Sequence, residues 1–444
     1  MSDLASLGGD MHALAAELFP INRSITGPGF RETLDRLEAV TGPMERHRFA
    51  TGEQVFDWTI PREWEVREAW IKGPDGRIVA SIGDSTLHLV GYSAPFSGRL
   101  SLEELEPHLH SLPEQPDAIP YRTSYYREDW GFCLEHRVRQ TLQPGEYEVL
   151  IDSELRPGHV EVGEVTVPGR SEREVRLSTY CCHPSMANTE LSGPVEQAHL
   201  ARLVASRERE PFFTYRFVFI PETIGSIAYL ARFGERLIRL LSAGYVVNCC
   251  GDPGPFTYKR SRRGDSLADR AAEHVLGHLG APYEVIDFYP MTRSGSDERQ
   301  YCSPGFNLPV GSLMRSMYGT YPEYHTSLDD LSFITPEALG ETLRAYSLIV
   351  ETLEAAAQTF TVTVPYCEPQ LGPRGLYPNT GGPSFAEQRL HDLLHLISLC
   401  DGTRDLLGAA EVAQRPAWEL EPVAQLLVEH DLLRPVESHD RVLV

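Results

Sequence analysis

Polar side chains with catalytic chemistry stand at four places that follow strand-like stretches of this sequence. His183 follows the apolar run LSTYCC, and Glu222 follows FTYRFVFI and a proline. Asp297 lies in the segment SGSDER, and His325 lies in YPEYHT. Because ligands of α/β sheets gather outside the carboxyl ends of strands, these four residues are candidates for one site.

Imidazoles and carboxylates at such positions are the ligand types of a catalytic zinc ion. They hold the metal and leave one position for water, whose pKa the metal lowers to ~7. A carboxylate that does not bind the metal can then accept the water proton and pass it to the leaving group. Taken alone, each histidine is more simply a surface or core residue, and the shared position after strands is what favours a site.

Residues beside these four have the chemistry of substrate binding. Arg299 offers a bidentate fork, Tyr321 and Tyr324 offer hydroxyl groups, and Glu298 offers a carboxylate. They are candidates for binding a substrate amine, carboxylate or carbonyl. The alternative is that they orient the metal ligands or form ion pairs.

The elements that must position these residues alternate between strand and helix from about residue 170 onward. This alternation predicts an α/β fold whose mixed sheet is covered by helices on both faces. Residues 1–55 are predicted to be mainly helical and to join residues 169–367 in this catalytic domain. An amphipathic helix after Pro336 closes it, since Leu339, Leu343 and Tyr346 recur at helical spacing.

Two further regions differ from this pattern. Residues 56–168 carry short strand-like runs with turn signals, which predict an inserted β-rich lobe that restricts entry to the cleft. Residues 368–383 are rich in proline and glycine and are predicted to be a linker. The short helices and terminal strand of residues 384–444 predict a winged-helix-like domain.

Charge limits the partners. The 444 residues include 40 Lys+Arg and 63 Asp+Glu, a formal charge of −23, which disfavours binding to nucleic acid. From residue 384 onward there are 5 Arg and no Lys against 11 Asp+Glu. We therefore expect this last domain to serve packing or dimerisation, which leaves a homo-oligomer open.

Neither a signal peptide nor an apolar run of about 18 residues is evident in the sequence. We therefore expect a soluble, cytoplasmic protein without a membrane partner. The 8 cysteines include the adjacent pairs Cys181-Cys182 and Cys249-Cys250 within apolar runs. Such residues are predicted to be reduced and buried.

Several long segments resemble one family, the bacterial aminopeptidase-like proteins that are often associated with polysaccharide or natural-product gene clusters. The segments are LFPINRSITGPGFRETL, IPREWEVREAWI, CCHPSMANTELSGP, FIPETIGSIAYL, SGSDERQYCSPGFNLPVGSLMRS and YPEYHTSLDDLSF. The resemblance covers nearly the whole chain. It implies a zinc aminopeptidase-like catalytic domain, an inserted β module and a C-terminal winged-helix-like domain.

The resemblance also implies roles for the four polar residues. His183, Asp297 and His325 match metal-binding positions, and Glu222 matches the general base. The resemblance therefore implies a zinc-dependent hydrolase of amide bonds, most simply an aminopeptidase that acts on a small peptide or an aminoacyl conjugate.

Two departures from the di-zinc aminopeptidases change the expected metal content. Thr189 stands where those enzymes have a bridging aspartate, and Thr223 stands where they have a second ligand glutamate after the base. Threonine is a poor zinc ligand. We therefore expect a single zinc, with Glu190 in place of the missing aspartate.

Two alternative functions follow from the same residues. A single zinc on this fold can also serve acyl transfer or cyclisation when water is excluded. A non-catalytic binding or scaffold protein with a decayed peptidase core is the other alternative. The threonines at 189 and 223 favour decay. The joint retention of the base and the three ligands opposes it, namely of His183, Glu222, Asp297 and His325.

Overall fold

The computed structural model of the chain describes residues 2–289, 295–377 and 385–436. Its helices in these ranges are α1 (Ser2–Leu18), α2 (Pro28–Thr41), α3 (Leu102–Leu105), α4 (His136–Gln140), α5 (Ser192–Ala205), α6 (Ile224–Leu240), α7 (Leu267–Leu279), α8 (Glu298–Tyr301), α9 (Pro336–Ala356), α10 (Phe385–Leu399), α11 (Leu406–Ala413) and α12 (Ala417–Glu429). Its strands are β1 (Glu45–Ala50), β2 (Gln54–Val55), β3 (Trp58–Thr59), β4 (Glu63–Lys72), β5 (Ile78–Ser81), β6 (Phe96–Ser101), β7 (Leu109–His110), β8 (Phe132–Cys133), β9 (Glu146–Arg156), β10 (His159–Val167), β11 (Glu174–Tyr180), β12 (Thr214–Ile220), β13 (Leu241–Val247), β14 (Phe256–Lys259), β15 (Tyr283–Ile286), β16 (Val310–Met314), β17 (Thr359–Val362), β18 (Asp401–Asp405) and β19 (Leu433–Pro435).

The central sheet has the strand order β1-β10-β12-β11-β13-β16-β14-β15 within the described ranges. Strands β12, β11, β13 and β16 run parallel to one another, whereas β1 and β10 pair antiparallel with their neighbours. Strand β14 is antiparallel to β16 and parallel to β15. Every residue of β11 is buried, as expected for a strand covered on both faces. The predicted mixed α/β architecture is confirmed, and its parallel strands bring their carboxyl ends to one edge.

Helix α9 spans Pro336–Ala356, where the sequence predicts the closing amphipathic helix. Its start is set by Pro336 in the first turn and by the Thr335 hydroxyl, which accepts the N–H of Ala338. Its stripe of Leu339, Leu343 and other apolar residues is buried in the core. The helix packs against α1, α7 and the C-terminal domain, so it joins three parts of the chain.

The β-rich region forms a four-stranded sheet of order β5-β4-β9-β6 and two short strand pairs, all within the described residues. In β9, Tyr147, Val149 and Ile151 are buried and alternate with more exposed residues, because the pleat of a strand turns successive side chains to opposite faces. Strand β10 lies within the range predicted for the lobe but belongs to the central sheet. Since β9 and β10 are consecutive strands separated by two residues, strand propensity alone cannot separate them.

The C-terminal domain combines α10–α12 with a three-stranded sheet of order β18-β17-β19. Strand β17 precedes the predicted linker, so the domain starts earlier along the chain than residue 384. It has its own apolar core, and the N–H of Ala417 at the start of α12 is donated to His274 of α7 at 3.0 Å. Residues 378–384 and 437–444 of the predicted linker and domain lie outside the described residues.

Helices in the described part of the chain are all too short or too polar to cross a lipid bilayer. The eight cysteines all lie in that part and are free thiols, of which only Cys367 is exposed.

Candidate active site

His183 lies just beyond β11 and is held from one side by Glu190. One carboxylate oxygen of Glu190, Oε2, accepts the backbone N–H groups of Cys182 at 2.8 Å and of His183 at 3.0 Å. The other oxygen, Oε1, contacts Nδ1 of the imidazole. Glu190 is buried in a π-helical turn, Ala187–Leu191. A carboxylate on one ring nitrogen fixes the orientation of a histidine and leaves the other nitrogen, Nε2, available.

Glu222 lies on the open side of the His183 ring. It follows β12, and its Oε2 is 3.5 Å from Nε2 of His183. Its Oε1 accepts the hydroxyl of Ser296 at 2.9 Å. The side chain remains 26 % exposed, so it borders the accessible cleft. Loss of hydration raises the pKa of Glu222, with His183 opposing the rise and Glu190 adding to it.

Asp297 supports the loop that carries Glu222. Its Oδ1 accepts the backbone N–H of Thr223 at 2.7 Å and the hydroxyl of Ser226 at 2.8 Å. These bonds hold Thr223 at a φ of 62°, an unfavourable backbone conformation for a β-branched residue. Its Oδ2 is buried without a hydrogen-bond partner among the described residues. Burial, and then the charge of Glu222, raises the pKa of Asp297 well above its usual range.

His325 faces the same region from the loop after β16. Its ring stacks on Tyr324 at a centroid distance of 3.9 Å and lies 5.3 Å from the ring centre of His183. Burial, together with the nearby His183, lowers the pKa of His325 to about 3. Its imidazole is therefore neutral near pH 7, which is the form that binds metal ions.

The structure differs from the ligand set expected from the sequence. Among residues 2–289, 295–377 and 385–436, one group of His, Cys, Asp and Glu has all donor atoms within 4.8 Å of one another, namely Cys182, His183 and Glu190. All three are buried. Asp297 and His325 lie outside that group. Asp297 is held by the N–H of Thr223, on the loop that carries Glu222.

The position of the missing bridging aspartate is occupied by a hydrogen-bond network. The Thr189 hydroxyl donates to Asp329 Oδ2 at 2.7 Å and lies 2.8 Å from the hydroxyl of Tyr321. Asp329 also accepts the backbone N–H groups of Asn188 and Thr189. Burial raises the pKa of Asp329 to about 6. Asp329 was missed from the sequence, although it follows His325 by four positions.

Glu298 forms a buried ion pair, the alternative to substrate binding. The Nζ group of Lys259 donates to its Oε1 at 2.8 Å, and the Tyr318 hydroxyl donates to the same oxygen at 2.9 Å. Both carboxylate oxygens also lie 3.0 Å from the N–H of Ser296. Glu298 therefore supports the residue that holds Glu222.

The other predicted substrate-binding residues occupy different environments. Arg299 is exposed, and its Nε contacts the carbonyl of Ser296 at 3.4 Å. Tyr321 is engaged by Thr189, whereas Tyr324 covers one face of His325. Burial raises the pKa of Tyr324 above its ordinary value, so its hydroxyl stays protonated.

One residue beside the site comes from the β-rich lobe. The ring centre of Tyr121 lies 4.6 Å from that of His183 and 5.3 Å from that of His325. Tyr121 was not identified from the sequence, because it is far from both histidines along the chain and no local motif marks it.

Comparison with known proteins places these features in a family. The model of a domain of unknown function, DUF4910, matches residues 12–356, and a winged helix-turn-helix model matches residues 358–435. A Clostridium acetobutylicum protein, assigned as a polysaccharide biosynthesis protein with an aminopeptidase-like domain, is 41% identical over 429 residues, which are 97% of each chain.

Solved structures share this fold. A crystal structure assigned as a peptidase of Clostridium acetobutylicum is 39% identical, covers 98% of each chain and has a TM-score of 0.91. A zinc aminopeptidase from Bacillus subtilis is 12% identical, with 77% of this chain and 94% of that one covered and a TM-score of 0.54. A peptidase M28 precursor from Shewanella amazonensis is 12% identical, with 79% and 95% covered and a TM-score of 0.55. The resemblance found in the sequence is thus confirmed, and the chain belongs to the DUF4910 family, with an aminopeptidase-like fold followed by a winged helix-turn-helix domain.

Proposed function

We propose that this protein is a zinc-dependent amide-bond hydrolase that acts on a small peptide or an aminoacyl conjugate. The observation that carries the proposal is the placement of Glu222, 3.5 Å from Nε2 of a histidine that is clamped on its other nitrogen. A relative named for polysaccharide biosynthesis supports a substrate that arises in a biosynthetic pathway.

The donors on the open side fit zinc by their chemistry. They are His183 Nε2, the neutral ring of His325 and Asp297 Oδ2, the buried oxygen without a hydrogen-bond partner among the described residues. These three residues would hold the ion. When bound there, zinc supplies a Lewis acid that polarises the substrate carbonyl and lowers the pKa of water.

The remaining groups move and position protons. Glu222 accepts a proton from the attacking water and returns it to the leaving amine, and its raised pKa suits both steps. Ser296 holds one oxygen of Glu222, so the other oxygen faces the reacting atoms. The protonated hydroxyl of Tyr324, beside His325, donates to the oxygen that gains charge.

Metal content and hydrolysis, measured on the same preparation, test the proposal. We expect close to one zinc per chain and release of free amino acid from short peptides or aminoacyl amides, with products identified by mass spectrometry. A protein that takes up no zinc and hydrolyses none of these substrates would be the scaffold of the alternative interpretation. Transfer of the acyl group to another amine without hydrolysis would replace hydrolase by acyltransferase.

A further inference from the structure

A short segment of the β-rich lobe pairs with the loop that carries His325. The N–H of Tyr121 donates to the carbonyl of His325, and the N–H of Ser327 donates to the carbonyl of Ile119, both at 2.9 Å. Pro120 and Thr326 form an antiparallel bridge between these bonds. The N–H of Ile119 also donates to the hydroxyl of Ser327 at 3.0 Å. The lobe thus contributes backbone pairing at the active-site loop itself.

The paired loop contains a strained residue. His325 has a φ of 56°, a left-handed conformation that residues with a Cβ atom adopt infrequently. Such conformations persist where surrounding contacts hold them, and they cluster at functional sites. Here the bonds from Ile119 and Tyr121 flank His325 on the lobe side. This pairing therefore holds the backbone from which the imidazole projects.

The side chain of Tyr121 acts on both histidines at once. Its ring packs edge-on against His183 and His325, with interplanar angles of 61° and 84°. Its hydroxyl points elsewhere and lies 2.6 Å from the hydroxyl of Tyr125. The flat ring, and not the hydroxyl, is therefore the part of Tyr121 that contacts the imidazoles.

We propose that the lobe segment Ile119–Tyr121 is a clamp that positions the two active-site histidines. Its backbone holds His325 in the left-handed conformation, and the ring of Tyr121 fixes the planes of both imidazoles. The lobe is then a part of the active site as well as a neighbour of it. The consequence for zinc affinity rests on the proposed function, whereas the consequence for the loop does not.

Hydrogen exchange of the metal-free protein and zinc titration of the same sample test the clamp in four variants. Tyr121→Ala removes the ring, Tyr121→Leu keeps apolar volume without a flat ring, and Tyr121→Phe keeps the ring without its hydroxyl. Tyr126→Ala is the matched control, because Tyr126 is a lobe tyrosine that is 56% exposed and packs on Trp58.

We expect the Ser327 amide to exchange about tenfold faster, and the zinc Kd to rise about tenfold or more, in Tyr121→Ala and Tyr121→Leu. Tyr121→Phe and Tyr126→Ala should match the wild type in both measurements. Wild-type exchange and Kd in Tyr121→Leu, or in a folded Tyr121→Ala, would overturn the clamp. A wild type that binds no zinc would refute the proposed function, and the exchange rates would still decide on the clamp.

Discussion

The carboxylates at one edge of the sheet form two sets that differ in their partners, Glu298 in one and Glu222 with Asp297 in the other. Glu298 is paired with Lys259 at 2.8 Å and also accepts Tyr318 and a backbone amide. Glu222 and Asp297 have no lysine or arginine in ion-pair contact among the described residues, and their pKa values are raised. One set is neutralised by the protein, and the other is not.

This difference fits a structural role for Glu298 and the roles proposed for Glu222 and Asp297. A buried carboxylate with a cation and a full set of donors has no remaining need for a ligand. A pair of carboxylates that lacks a lysine or arginine has raised pKa values, and a bound metal ion would favour the ionised form of a carboxylate that it contacts. Ser296 joins the two sets, since its N–H bonds Glu298 and its hydroxyl bonds Glu222. The satisfied set therefore serves as the support for the unsatisfied one.

The largest expected effect comes from Glu222→Gln, which alters the set without a lysine or arginine partner, Glu222 and Asp297. It keeps the shape of the side chain and removes its basicity, so we expect turnover to fall by ~10² to 10⁴-fold. Zinc content and KM should stay near wild-type values, since the residue is proposed as a base. Steady-state kinetics and elemental analysis measure both, with Glu323→Gln as a nearby carboxylate control.

Two results would change the assignment of Glu222. Loss of zinc in Glu222→Gln would make it a ligand, as its 3.5 Å distance from His183 Nε2 also permits. Near-normal turnover with bound zinc would place the base at another carboxylate.

The substitution Lys259→Met removes the ion pair between Lys259 and Glu298. This change leaves Glu298 buried with no cation, so we expect the free energy of unfolding to fall by about 3–5 kcal/mol. Urea denaturation at pH 7 measures it. The double variant Lys259→Met with Glu298→Gln removes the unpaired charge and should recover most of the loss. Equal stability of Lys259→Met and the wild type would show that this ion pair is not what neutralises Glu298.

The local sequence pattern was sufficient to predict some contacts of the candidate site and not others. The proximity of His183 and Glu222 could be predicted because each lies within three residues of the end of its own strand. The partner of Glu298 could not, because Lys259 ends β14, and the order β13-β16-β14 in the sheet does not follow the chain. The contacts of Tyr121 with the two histidines could not be predicted either, because they depend on how the lobe packs against the sheet.

The substitution Glu190→Gln tests the contact between Glu190 and Nδ1 of His183. The amide keeps an oxygen for the backbone N–H groups of Cys182 and His183 but loses the charge beside Nδ1. We expect the zinc Kd to rise by ~10- to 100-fold, the usual effect of altering a residue that orients a ligand. Competition with a chelator of known affinity measures it. Complete loss of zinc binding would instead support Glu190 as a direct ligand, the role expected from the sequence.

The smallest effect concerns His274, a buried polar group whose partner lies across the domain boundary. Its Nε2 accepts the N–H of Ala417, and burial, followed by the charges of His278 and Arg270, lowers its pKa to about 4. Because the folded state favours the neutral ring, this contribution to stability is present above pH 6.5 and decreases as pH falls towards 4. Between pH 7 and 5 we expect a loss of about 1–2 kcal/mol from this group. Urea denaturation at both pH values should give a smaller pH dependence for His274→Leu than for the wild type. An unchanged pH dependence would mean that His274 titrates alike in the folded and unfolded states.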